Sequence, residues 1–150
     1  MADRYGSTGA SATSSTQTTI LTVIAATTTR GRLYDFILSM GGTPADNTLE
    51  WLLRRFTAAG TAGASPVPIA LDPAAPAALL TSGENHSVEP TYTAASELFD
   101  NFVYQRATYE WKAPPGGEFV VPATAANGLG FSTAHASYTG NGEVTAHWFE

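Results

Sequence analysis

Cysteine is absent from the 150 residues, and disulfide frameworks, thiolate metal sites and thiol-based redox catalysis are absent with it. Charge is scarce as well. Only 13% of residues are Asp, Glu, Lys or Arg, against roughly 25% in an ordinary soluble domain. Basic charge is the scarcer sign: 7 Lys and Arg stand against 13 Asp and Glu, a net of -6. Counterion release therefore disfavours binding to DNA or RNA, and no direct nucleic-acid partner is expected. No apolar run approaches the roughly 18 residues a membrane span needs, and no basic n-region followed by an apolar h-region opens the chain. The expectation is an unprocessed, soluble protein that engages no membrane. A surface low in charge and rich in Thr and Ala suits a protomer packed against neighbours.

Catalytic signatures are also missing. The chain contains no HExxH, no GxSxG, no P-loop and no zinc-binding His/Cys pair. Gly128-Leu129-Gly130 imitates the start of a dinucleotide fingerprint, but no βαβ unit surrounds it to aim a helix N-terminus at a phosphate. His135 and His147 share a face only if a three-residue loop joins their strands, and a metal would still lack a third ligand. Glu97, Asp100 and Glu110 can be paired on paper for glycoside hydrolysis, yet no sequence spacing selects a pair, because the required separation is spatial. The expectation is a protein that is not an enzyme, with no catalytic residues, cofactor or metal.

What the chain does contain is strand patterning punctuated by Gly and Pro. At this length one domain can bury a sizeable core unaided. Residues 20–29 form a β-branched run bounded by Arg30-Gly31-Arg32. Residues 33–40 alternate, with Tyr34, Phe36, Leu38 and Met40 on one parity, and predict a half-buried strand. Residues 49–59 fit a helical stripe through Leu49, Leu52, Leu53 and Phe56, but Trp51 falls outside it, so a strand is expected. Pro66, Pro68, Pro73 and Pro76 limit residues 67–71 to an edge strand, and Asp72 is placed to cap a short helical turn. A short strand is expected over 86–93. Residues 98–111, LFDNFVYQRATYEW, form the longest β-favouring run free of Gly and Pro. They predict a central strand with a bulge at Gln105-Arg106, where the apolar parity changes. In that reading Trp111 is a core residue and Arg106 pairs with Asp35 or Glu110, or emerges at an interface. Residues 119–121 pair briefly. Residues 128–138 and 143–149 predict a closing hairpin across Asn141-Gly142. Short strands without long helices point to an all-β fold, an antiparallel β-sandwich or jelly roll, over residues 20–150.

Residues 1–19 read differently. Their small polar side chains cannot bury enough apolar area to offset ordering entropy, so an extended N-terminal arm held by a partner is expected. Tyr5, Ser7, Thr8, Ser14, Ser15, Thr16 and Gln17 of this arm, with Arg30 and Arg32, are the candidate partner contacts.

TTTRGRLYDF at 27–36, GTPADNTLEW at 42–51, PIALDP at 68–73, EPTYT at 89–93, NFVYQRATYEW at 101–111 and PATAANGLG at 122–130 together resemble a group of small tailed-bacteriophage virion proteins. The likeness is to capsid decoration or cement proteins. It implies a β-rich protomer on the outer surface of an assembled head, partnered by the major capsid protein and by copies of itself in a trimer or other symmetric cluster. A tail or head-tail connector component, or a carbohydrate-binding sandwich, remains as an alternative.

Overall fold

The computed structural model describes residues 2–14, 16–134 and 140–150. Its strands are β1 (Arg4–Ala12), β2 (Thr18–Ile24), β3 (Gly31–Gly41), β4 (Thr48–Ala58), β5 (Ile69–Ala70), β6 (Thr81–Gly83), β7 (Thr91–Tyr104), β8 (Tyr109–Lys112), β9 (Phe119–Val121), β10 (Gly128–Ala134) and β11 (Asn141–Phe149). One antiparallel sheet has the order β5-β1-β11-β3-β8, with β9 also on β3; the other runs β6-β2-β10-β4-β7. With the short β5, β6 and β9 set aside, β1-β11-β3-β8 lies over β2-β10-β4-β7, and the chain changes sheet at almost every corner. That order is an eight-stranded jelly roll, within the expected all-β sandwich class.

Alternation explains which side chains fill the space between the sheets. On β11, Gly142, Val144, Ala146 and Trp148 turn inward; on β4, Leu49, Trp51 and Leu53 do so. Trp51 is 1% exposed, a burial that the helical stripe forbids and a strand requires. On β3 the parity breaks. Asp35 faces His147 and Leu33 faces Trp148, leaving Tyr34 as the extra residue of a bulge. Leu33 thus joins Phe36 and Leu38 in the core while Tyr34 turns out. Phe36 meets Phe99 edge-on at 5.3 Å and Phe131 at 5.1 Å, both in the opposite sheet. It also stacks on Trp111 at 5.1 Å, and Trp111 stacks in turn on Phe119 at 4.5 Å.

Residues 98–111 do not form one central strand. They supply the upper end of β7 in one sheet and β8 in the other, joined by a turn at 105–108. The change of parity marks a corner rather than a bulge, because the chain must reverse which face is inward when it changes sheet. Both strands are sheet edges, and Phe102 and Tyr104, opposite in parity to the buried Val103, remain exposed. Arg106 sits in the turn, exposed, with Nε donating to the Pro44 carbonyl at 3.3 Å. It pairs with neither acid.

The closing hairpin is also replaced. β10 pairs with β2 and β4, whereas β11 pairs with β1 and β3. Asn141 and Gly142 open β11 opposite Gly41 and Met40, and Tyr138 lies outside the described residues. β2 ends at Ile24, and of the strand expected at 86–93 an isolated bridge between Val88 and Thr61 precedes β7. Asp72 does cap a turn, accepting from the Ala74 N–H at 2.9 Å, but no helix follows it. β5 and β9 form where short pairings were expected.

The largest departure is at the N-terminus. Residues 4–12 are a strand inside the sandwich, paired with β11 from Arg4 opposite Phe149 to Ala12 opposite Asn141 without a shift. The ordering entropy of this segment is offset within the chain, because the C-terminal strand supplies a complete backbone ladder. Tyr5, Ser7, Gly9 and Ser11 face inward, and their small hydroxyls are satisfied by the long connection between β4 and β7. Ser7 shares a hydrogen bond with Ser82 at 2.7 Å, and Ser11 Oγ accepts from the Asn85 N–H at 2.9 Å. Tyr5 donates to the Pro76 carbonyl at 3.0 Å.

Removing residues 1–12 should therefore abolish the cooperative thermal transition, since β11 loses its ladder and the core loses Tyr5. A truncated protein melting within a few degrees of the full chain would make β1 dispensable. Trp111→Ala, at the half-buried rim, should cost about 3 kcal/mol by urea unfolding, near the low end for aromatic truncation.

Candidate interaction surface

Chemistry-bearing side chains do not converge. Among the described residues no group of three His, Cys, Asp or Glu is placed to hold a metal ion. His147 Nδ1 lies 3.2 Å from Asp35 Oδ2 on the outer face of the first sheet. His135 lies outside the described residues. Glu97 and Asp100 are exposed on β7, whereas Glu110 is on β8 in the other sheet and pairs with Lys112 at 2.7 Å.

A polar cluster on the outer face of the second sheet is structural in its contacts. Thr19 donates its hydroxyl to Glu89, directs its backbone N–H to the same carboxylate at 3.1 Å, and accepts from the Tyr92 phenol at 2.8 Å. The Arg54 guanidinium sits 4.2 Å over the Tyr92 ring, a cation–π contact. Phe56 meets that ring edge-on at 6.3 Å. The glycine at 130 belongs to this cluster: a Cβ there would fall 2.4 Å from the Tyr92 hydroxyl. The Gly-Leu-Gly run thus lets side chains lie flat on the sheet. Burial pushes the Tyr92 phenol up to about 12, against partial relief from the Thr19 hydrogen bond. Burial also lowers His86 from its ordinary value, opposed by Glu89.

The expected partner contacts scatter. Tyr5 and Ser7 are in the interior. Ser14 and Thr16 are exposed and bond to each other at the tip between β1 and β2; Ser15 lies outside the described residues. Gln17 is half-buried, its amide 3.4 Å from Ser132. Arg30 is exposed. Arg32 is exposed and, with Arg4, flanks Phe149 in register. Thr8 is exposed and bonds Thr145 at 2.9 Å.

Thr8 lines a feature that composition did not reveal. A groove of about 380 Å³ runs between the outer face of β1 and β11 (Gly6, Thr8, Thr145, His147) and the segment carrying Pro66, Val67, Ile69 and Leu71. A side chain at Gly6 would strike the His147 ring at 2.7 Å, so the groove floor depends on glycine. Val67 is 81% exposed and Ile69 70%. The alternation of proline with apolar residues was the available signal, since proline bars the segment from a sheet interior and leaves its apolar side chains outside.

The lateral edges of the sheets differ in their defences. β5 is two residues long and bordered by Pro66 and Pro68; β6 has three residues; β8 has four, with exposed Glu110 and Lys112. Short strands, proline and charge all discourage edge pairing. β7 spans fourteen residues without proline or lysine. Its first half is broken by three register shifts against β4 and by Ala95 at φ 50°. Residues 99–104 are uninterrupted, from Phe99 opposite Leu53 to Tyr104 opposite Thr48. Phe102 is 61% exposed there.

No family model, curated protein or solved structure matches the chain.

Because the Tyr92 phenol is raised from 10.0, the stability gained by keeping it protonated is present below pH 10 and lost as pH rises toward 12. The urea midpoint should fall over that interval, and Tyr92→Phe should flatten the fall. An identical slope in the variant would place the alkaline transition elsewhere.

Proposed function

We propose that this protein is a structural component of a tailed-bacteriophage virion, a capsid decoration or cement protein that docks on the major capsid protein and stabilises the assembled head. The observation that carries this reading is the exposed apolar row of Val67, Ile69 and Leu71 beside its groove. Proline on either side of Val67 holds the row in place before binding, which reduces the ordering cost of docking. Because proline lacks an N–H, contact there is made by side chains rather than by an added strand. The resemblance of residues 27–150 to phage virion proteins supports the same reading. So do the low surface charge and the jelly roll, an architecture shared by viral capsid and lectin domains. A tail or connector position uses the same surface on a different partner.

The experiment is rebinding to particles stripped of the protein. Ile69→Asp, at a position 70% exposed, should keep the melting temperature within a few degrees and weaken retention on heads by at least about 10-fold, the effect expected of a charge forced into an apolar contact. Undiminished retention would overturn the groove as the docking surface. Recovery of the wild-type protein with purified tails, and not with heads, would select the connector reading.

A further inference from the structure

We propose that residues 99–104 of β7 pair with their own counterparts in a second copy across a two-fold axis, joining two five-stranded sheets into one continuous sheet. This pairing is independent of docking on a capsid, and the purified protein alone reports it.

Three of the sheet edges are short or carry proline or lysine, whereas the upper half of β7 is regular and bears one charge, Asp100. Among the described residues no strand lies on its far side, so alternate backbone N–H and C=O groups over residues 99–104 are directed away from β4. A backbone edge accepts any extended segment, but the side chains on this one favour a copy of itself. A two-fold axis normal to the sheet keeps core face beside core face, so opposed residues must share a face. Asp100, Phe102 and Tyr104 lie on the outer face, paired with Leu52, Glu50 and Thr48 of β4, of which Leu52 is covered; Asn101 and Val103 lie opposite the buried Trp51 and Leu49.

Few registers satisfy that condition. With Phe102 on the axis, the two Phe102 rings face each other, and Asp100 of each copy stands opposite Tyr104 of the other. Each phenol then donates to a carboxylate, and an aromatic pair lies between the two polar pairs. Asn101 and Val103 oppose one another on the core side. A slip that puts Asn101 on the axis sets both Asp100 carboxylates against Phe102 rings. The opposite slip, with Val103 on the axis, leaves a ladder of only residues 102–104 before the turn. The central register keeps residues 100–104 of both strands in the ladder.

The absence of cysteine from the chain makes the test clean. Opposed residues in an antiparallel pair have Cα atoms about 4.5 to 5.5 Å apart, inside the disulfide range. Phe102→Cys should therefore form a covalent dimer rapidly under mild oxidation. Asn101→Cys, exposed but set opposite Val103 in this register, and Ile69→Cys, which is more exposed than Phe102, should form it slowly. In sedimentation equilibrium the unmodified protein should be a reversible dimer, and Phe102→Asp should raise its dissociation constant by at least about 10-fold. The exposure of Phe102 leaves the monomer fold unaffected, which a melting curve at low concentration checks. A wild-type chain that stays monomeric, or Phe102→Cys cross-linking no faster than Ile69→Cys, would overturn the interface. Preferential cross-linking through Asn101→Cys would overturn the register.

Discussion

Phe36 is the contact on which the sandwich depends. Placed mid-strand in β3, it touches aromatic rings from β7, β8 and β10, so one side chain joins a central strand of the first sheet to two strands of the second and to its own sheet's edge. Offset and edge-on ring geometries add to the area each ring buries. The bulge at Tyr34 matters for the same reason. It rotates the lower part of β3 so that Leu33 also points inward, extending the apolar layer without interrupting the Phe36 contacts.

Around that aromatic centre, the periphery is built from small residues and hydroxyls. β1 contributes one large buried side chain, Tyr5, and otherwise Ser and Gly, which allow the long connection after β4 to lie close beneath it. A buried hydroxyl left unbonded is costly, and Ser7, Ser11 and Thr19 each find partners in that connection. The low charge of the chain follows in part from this construction: polarity is supplied by groups that can be buried once satisfied, where charges could not be.

The same economy leaves two surfaces without partners on opposite sides of the sandwich, the apolar row beside β5 and the regular half of β7. They differ in kind. Prolines make the first a side-chain surface, while the second offers a backbone ladder. A protomer bearing one of each can contact two different neighbours at once, an arrangement suited to a component of a larger assembly.

The all-β class was legible in the sequence because strand alternation is local: each strand's pattern of inward and outward residues is set by its own side chains. Trp51 outside the helical stripe was enough to make residues 48–58 a strand, and the prolines around Val67 were enough to make that segment an edge. Pairing was not legible, since the backbone groups that pair are the same in every residue. The Asn141-Gly142 dipeptide suggested a hairpin between strands that lie in different sheets. The parity change at Gln105-Arg106 suggested a bulge where the chain turns a corner. The small residues of β1 concealed a strand whose partner lies at the far end of the sequence, Arg4 opposite Phe149 and Ala12 opposite Asn141. The interaction surface shared that fate. Phe102 has the side chain of a core residue, and only the assembled fold, by turning its neighbour Val103 inward, decided that it faces outward.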